Sequence, residues 1–231
     1  MENVVAGIDI GGTNTVVGLV TKSGEILKET TLSTRLETTF DGFIKILVSE
    51  IEKLLMTFEH DYKLVGIGIG APNSSYDLGA IVDAPNLQWK GILPVCKEIT
   101  KHTGVNSVVT NDANAAAVGE MLFGDAQGMK NFVILTLGTG LGSGIVVDGR
   151  LVLGSEGFAG EFGHIVAKPN GRQCGCGKRG CLETYASATG IRRTAFKMLA
   201  DSNHPSLLRN ITYDKLTSKF IKKKKKTGDP L

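Results

Sequence analysis

No stretch of this sequence of 231 residues approaches the ~20 consecutive apolar residues of a membrane-spanning helix, so no membrane partner is expected. The first strand-like segment begins at Val4, so no signal or transit peptide is expected and the chain reads as cytoplasmic. Cysteine is scarce, with four in all, and in a reducing compartment thiols are more often ligands than disulfides. A large charge of one sign is lacking as well. Lys and Arg number 26 against 23 Asp and Glu, a net charge of +3. Six lysines (Lys219 and Lys222 to Lys226) and one aspartate fall within 217–231, which leaves 20 basic and 22 acidic residues over 1–216. The body is faintly acidic and the basic character belongs to a tail, which reads as a solvated helix face or frayed terminus. A nucleic-acid protein carries its charge as a patch on the folded surface, so no nucleic acid is expected.

Glycine is what the chain has in excess, 30 of 231 residues where about 7% is usual. Thirteen of them lie between Gly138 and Gly180. Clustering of that kind suits backbone that approaches a ligand or turns tightly. The hydrophobic share of 42% against a charged share of 21% excludes disorder for most of the chain.

The pattern predicts strands at 4–10, 15–20 and 25–31, with Thr21-Lys22-Ser23-Gly24 as a hairpin turn. From Thr38 to Phe58 the period changes: Phe40, Phe43, Ile44, Leu47, Ile51, Leu54, Leu55 and Phe58 make one face of a helix. A buried strand at 64–69, a strand at 81–84 and a helix at 94–102 follow, with Pro94 in its first turn and Gly104 just past its end. A strand at 105–110 leads into an Ala-rich helix from Asn111-Asp112 through Phe123. Strands at 131–137, 143–147 and 150–153, the last two joined at Asp148-Gly149, then repeat the opening theme, and a helix runs from about Glu183 to Ala200. Two related α/β domains are expected, 1–115 and 116–231, meeting at a cleft.

Asp9-Ile10-Gly11-Gly12-Thr13-Asn14 and Leu137-Gly138-Thr139-Gly140-Leu141-Gly142-Ser143-Gly144 each sit at a hairpin turn, and neither is a P-loop. The second has G-x-G-x-x-G spacing, but a strand follows where a dinucleotide site needs a helix. Taken together they suit phosphate held by successive N–H groups, with hydroxyls from Thr13 and Thr139 and with Asp9 beside a phosphate-bound Mg²⁺. Cys174-Gly175-Cys176-Gly177-Lys178-Arg179-Gly180-Cys181 places three thiols within eight residues, and His164 is the nearest histidine. That set of four suits a structural Zn²⁺, against the alternatives of a disulfide or of unrelated thiols. Asp112 reads either as a helix N-cap or as a base for a hydroxyl that attacks a γ-phosphate. The loop from Glu156 to His164, with Glu161 and the later Glu183, brackets the thiols and offers the convergent polar groups that a polyhydroxylated ligand needs.

Three segments, DIGGTN, VVTNDANAAAVGE and EGFAGEFGHI followed by GRQCGCGKRGCLETYASATGI, resemble the ROK family of sugar kinases, and among them the ATP-dependent glucokinases. The resemblance covers residues 3–231 and implies an α/β, actin-like ATPase (ribonuclease H-like) two-domain fold. It implies transfer of ATP's γ-phosphate to the 6-hydroxyl of a hexose, glucose first, with N-acetylhexosamines or fructose as alternative acceptors. Asp112 matches the family's base; Asn86, Asn111, Glu161, His164 and Glu183 match its sugar ligands, beside Asp112 itself. Gly11, Gly12, Thr13, Gly138, Thr139 and Gly140 match its phosphate loops, and His164 would touch zinc through one ring nitrogen and sugar through the other. The family also implies a homodimer at full length. Its members continue beyond Leu231, so the second domain is expected to be incomplete and the 231 residues alone to turn over little. ROK repressors share the cysteine motif but need a winged helix-turn-helix ahead of the first strand, where only Met1-Glu2-Asn3 stand. A zinc-bound module without catalysis is the remaining alternative.

Overall fold

The computed structural model describes residues 1–58, 61–155 and 157–229, so Glu156 of the expected sugar loop lies outside the described residues. The chain forms two compact units, Met1–Val133 with Ile145–Ala159 and Ile134–Gly144 with Gly160–Leu231. Among the described residues no helix is long and apolar enough to cross a membrane.

The first unit is built on β1 (Glu2–Ile10), β2 (Asn14–Thr21) and β3 (Ile26–Ser33), an antiparallel meander whose alternate side chains face inward. Val4, Ala6, Ile8 and Ile10 are the buried set of β1, and Val17 and Leu19 continue it on β2. Helix α1 (Phe40–Met56) covers that face with Phe43, Ile44, Leu47, Val48, Ile51 and Leu54; the predicted stripe gains Val48, its Phe40 and Leu55 are only partly buried, and its Phe58 lies beyond the helix end. Thr39 caps it by accepting the Gly42 N–H at 3.2 Å. Each fully buried Leu, Ile or Phe of this kind contributes about 1.5–3 kcal/mol.

Strand β4 (Tyr62–Gly70) runs parallel to β1. Three short strands then form a separate sheet: β5 (Ser74–Ser75), β6 (Ala80–Val82) and β7 (Ile92–Leu93). Only the middle one was within reach of the sequence pattern, because its partners are two residues each. Helix α2 (Val95–Thr103) has Pro94 at its N-cap, one position before the expected first turn, and Gly104 at φ +68° closes it. Strand β8 (Ser107–Thr110) pairs parallel with β4 and completes the order β3-β2-β1-β4-β8. Helix α3 (Asp112–Phe123) follows and belongs wholly to the first unit, so the boundary expected at 115/116 falls inside it.

Strands β9 (Phe132–Leu137) and β10 (Leu141–Val147) carry the chain into the second unit and back. The turn to β11 (Arg150–Leu151) uses Asp148 at φ 50° and Gly149 at φ 72°, as the Asp-Gly pair predicts. In the second unit the expected helix from Glu183 to Ala200 is two helices, α4 (Glu183–Ala186) and α5 (Ala188–Asp201). Ser187 breaks them, because its backbone is extended and its Oγ accepts the Gly190 N–H at 3.0 Å as the cap of α5. The lysine run forms α6 (Ser218–Lys226), capped by Thr217.

Candidate functional site

In the first unit Gly11 and Gly12 turn the chain from β1 into β2. The Gly11 N–H donates to the Asn14 carbonyl at 2.9 Å. A Cβ on Gly11 would stand 2.8 Å from that oxygen, and one on Gly12 would stand 2.8 Å from the Asn86 carbonyl. Both glycines are therefore required by close backbone approach. The end of β3 braces the turn. The buried Thr34 donates its hydroxyl to the Gly11 carbonyl and lies 2.8 Å from Thr15 Oγ1, while its N–H donates to the Thr13 carbonyl at 2.9 Å. Arg35 donates through Nε to the Gly12 carbonyl at 3.3 Å.

Asn86 reaches this turn because its loop is anchored from behind. Trp89 is 7% exposed, packs 4.7 Å from the Phe43 ring and donates its indole N–H to the Thr38 carbonyl at 3.1 Å. Lys90 donates to the carbonyls of Ala84 and Leu87, both at 2.9 Å. A polar hollow of about 390 Å³ opens between Gly12, Thr13, Arg35 and Asn86.

Asp9 is the last residue of β1 but one, and it pairs in register with Gly70 of β4, which pairs with Thr110 of β8. Asp112 stands two residues beyond Thr110, at the first turn of α3. A Cβ on Gly70 would meet Asp112 Cα at 3.8 Å, an ordinary contact distance, so the start of α3 packs directly over the strand ends. Partial burial, then the nearby Asp112 carboxylate, hold the Asp9 carboxyl above its ordinary value. The N-cap of α3 is Asn111, whose Oδ1 accepts the Asn114 N–H at 2.7 Å; Asp112 is one residue inside and accepts the Ala113 N–H at 2.9 Å. This corrects the alternative that made Asp112 the cap. It also leaves Asn111 its amide nitrogen for any ligand, its oxygen being committed.

In the second unit His164 lies in a single 3-10 turn (Phe162–His164) after Glu161. Its Nδ1 is 3.6 Å from Cys174 Sγ, and Cys176 Sγ is 3.7 Å from Cys181 Sγ. The four ligand atoms of His164, Cys174, Cys176 and Cys181 all lie within 4.8 Å of one another. Tetrahedral zinc, with bonds of about 2.3 Å to sulfur and about 2.05 Å to nitrogen, requires S–S edges of about 3.8 Å and S–N edges of about 3.6 Å. The residues fit that ion. All four cysteines are free thiols, which disposes of the disulfide alternative. Burial pushes the Cys181 thiol up to about 11, with the neighbouring thiols adding to it, while the Lys178 N–H bonded to Cys176 holds that thiol below its ordinary value.

The turns of this knuckle use Gly177 at φ +90° and Gly180 at φ +85°. Arg172, which lies in the GRQCGCGKRGC segment but to which the sequence pattern assigns no role, ties the knuckle to α4 and α5 by donating to the carbonyls of Thr184 at 2.7 Å and Gly190 at 3.0 Å. Its guanidinium lies 4.6 Å over the Tyr185 ring. Glu183 opens α4 two residues after Cys181, and its Oε2 accepts the Leu141 N–H at 2.9 Å. Gly138, Thr139 and Gly140 form the turn just before Leu141.

The expected residues thus divide. Asp9, Gly11, Gly12, Thr13, Asn86, Asn111 and Asp112 belong to the first unit; Gly138, Thr139, Gly140, Glu161, His164, Glu183 and the three clustered cysteines belong to the second. Thr34, Trp89 and Lys90 are supports that the sequence pattern does not reveal as such. A lone tryptophan in an APNLQW segment is a visible signal, whereas a threonine among threonines at 30–34 is none.

Comparison with known proteins extends the picture. The chain is 42% identical over 189 residues to a glucokinase of Thermotoga maritima, a match covering 81% of this chain and 58% of that one. A crystal structure of a ROK family glucokinase from Streptomyces griseus, in complex with glucose and AMPPNP, is 35% identical with a TM-score of 0.76, over 98% of this chain and 72% of that one. A ROK family transcriptional regulator, homologous to the E. coli MLC protein, superposes with a TM-score of 0.87 at 32% identity, over all of this chain and 57% of that one. The chain has the α/β, actin-like ATPase fold of such neighbours, and it spans a little over half the length of the Thermotoga relative. The ROK family model matches residues 5–229, a span that holds both glycine turns, the Asn111-Asp112 pair and the His164 knuckle, and the chain belongs to the ROK family.

Proposed function

We propose that the intact protein is an ATP-dependent hexose kinase, with glucose as the acceptor and Asp112 as the general base. The observation that carries this reading is Asp112 at the carboxyl end of β8, beside Asp9 and on the strand edge from which the Gly11-Gly12 turn departs. The crevice outside the carboxyl ends of parallel strands is where α/β folds bind ligands. A carboxylate there accepts the proton of the attacking hydroxyl, and removal of such a base costs about 10²–10⁴ in rate.

Gly11, Gly12 and Thr13 in the first unit, with Gly138, Thr139 and Gly140 in the second, are the phosphate turns for ATP. Gly11 and Gly138 close the turns with their own N–H groups, to the carbonyls of Asn14 and Gly140, and the N–H groups of Gly12, Thr13, Thr139 and Gly140 with the two threonine hydroxyls are the donors. Asp9 is the residue to hold Mg²⁺ through water, since its carboxyl already bears the repulsion of Asp112 that a divalent cation relieves. Asn86, Asn111, Glu161, His164 and Glu183 orient the sugar. His164 points Nδ1 at the thiols, which leaves Nε2 for a sugar hydroxyl. Zinc, when bound by His164, Cys174, Cys176 and Cys181, supplies a structural crosslink that fixes this ring.

The test is a coupled ADP assay of the intact protein over a panel of hexoses, with Asp112→Asn beside the wild type. Glucose is expected to lead, and the variant to lose at least about a hundredfold in kcat while glucose affinity changes little. N-acetylmannosamine, N-acetylglucosamine or fructose leading the panel would replace the acceptor; an effect of Asp112→Asn confined to thermal stability would overturn the base.

The superposition on a regulator, at a TM-score of 0.87, supports a second reading as a sugar-responsive regulator. Sugar binding with no phosphoryl transfer to any hexose would favour it. Asp112 and both glycine turns weigh towards the kinase.

A further inference from the structure

We propose that Glu183 is a positioning residue that fastens the glycine turn 138–141 to the His/Cys knuckle, so that metal occupancy of the knuckle sets the order of the turn. The consequence for catalysis rests on reading that turn as a phosphate cradle; the geometry does not.

Helix α4 is only four residues long, and Glu183 at its start and Ala188, the first residue of α5, hold the two ends of the turn. At one end Glu183 Oε2 accepts the Leu141 N–H at 2.9 Å. At the other, the Ala188 N–H donates to the Gly138 carbonyl at 2.9 Å. Between them Gly140 makes room for the carboxylate: a Cβ there would lie 2.5 Å from Glu183 Oε2. A carboxylate accepting a backbone N–H is among the stronger hydrogen bonds available to a loop.

The same helix is started by a knuckle residue. Thr184 donates to the Cys181 carbonyl through its N–H at 3.0 Å and its hydroxyl at 2.7 Å. Cys181 is one of the four candidate ligands, so whatever fixes its thiolate fixes the origin of α4 and hence the Glu183 carboxylate. Glu183 Oε1 also lies 3.8 Å from Cys174 Sγ, a second contact with the ligand set. Glycine-rich turns lack side chains to hold them, so their order depends on such external bonds.

Amide hydrogen exchange on the full chain tests the proposal, followed in a peptide spanning the turn. Removal of Zn²⁺ with a chelator is expected to speed exchange there about tenfold or more, and Zn²⁺ added back to restore protection. Glu183→Ala is expected to give the same fast exchange while retaining its zinc. Glu183→Gln keeps an acceptor oxygen and is expected to retain protection, which a merely structural defect of the helix would not do. In the intact protein, Glu183→Ala should raise KM for ATP several-fold more than Glu183→Gln does. Unchanged exchange in the turn on chelation, or a fully protected turn in zinc-loaded Glu183→Ala, overturns the proposal. A wild type that transfers phosphate to no hexose removes the kinase reading alone, because the exchange results stand without it.

Discussion

Asp9 is held against its own electrostatic interest. Its carboxyl is raised above the ordinary value first by burial and then by Asp112, so the charged form is disfavoured in the folded chain. A carboxyl whose folded pKa is raised binds its proton more tightly when folded. The penalty is therefore absent below the unfolded value of 3.8 and grows as pH rises through the folded value. Asp9→Asn is expected to raise the melting temperature at pH 7, by about 1–3 °C, and to leave it unchanged near pH 3. Equal melting of the two proteins at pH 7 would count against the strain, and in the kinase reading the same substitution should cost activity. Gly12→Ala probes the neighbouring turn. Its Cβ would stand 2.8 Å from the Asn86 carbonyl and 3.1 Å from Asn86 Cβ, with that loop pinned by Trp89 behind it. An overpacked contact of this kind costs about 1–3 kcal/mol, measurable as a lowered urea midpoint. At this scale the sequence was informative about residues with unusual chemistry or spacing, such as Gly11, Gly12 and the cysteines. It was silent on Thr34, whose role is set by a carbonyl 23 positions away.

Elements were legible where a single period ran long enough to be read. The stripe of α1 and the alternation of β1 and β2 are such cases: of the residues the helical period names, Phe43, Ile44, Leu47, Ile51 and Leu54 are buried, while Phe40, Leu55 and Phe58 pack partly buried at its margins. Strands of two residues carry no period, which is why β5 and β7 escaped. The break between α4 and α5 escaped for another reason: Ser187 sits in a run with the residue types of an ordinary helix, and only its extended backbone gives the cap away. Ser187 is 1% exposed and its Oγ holds the Gly190 N–H, so Ser187→Ala should destabilise the second unit by about 1–2 kcal/mol. Thermal or urea unfolding checks the value, and Ser187→Asn, which keeps a capping oxygen, should recover part of it. A neutral Ser187→Ala would mean that Arg172, through the Gly190 carbonyl, suffices to hold the helix start.

At the scale of the whole molecule the two units are unequally supported. Among the described residues the first has a core cluster running through α1, α2 and the five-stranded sheet, whereas the cluster of the second is four buried apolar residues, Ala195, Leu199, Leu208 and Leu216, with partners such as Phe196 and Phe220. A core that small offsets little chain entropy, which is the circumstance in which small folds rely on metals. The division itself was only half legible, since the recurring strand-and-turn theme announced two bodies, while their boundary runs twice through strands, β9 and β10, that look uninterrupted in sequence. Zinc on the knuckle should therefore carry much of the second unit's stability and little of the first's. The protein has a reporter for this, because its one tryptophan, Trp89, lies in the first unit against Phe43. After chelation, circular dichroism should show an early loss of helix from α5 and α6, while Trp89 fluorescence holds until a later transition close to that of the loaded protein. Zinc restored at one equivalent should move the early transition up and leave the Trp89 transition nearly where it was. If chelation lowers both signals together by the same amount, the units unfold as one and the ion's contribution is shared between them.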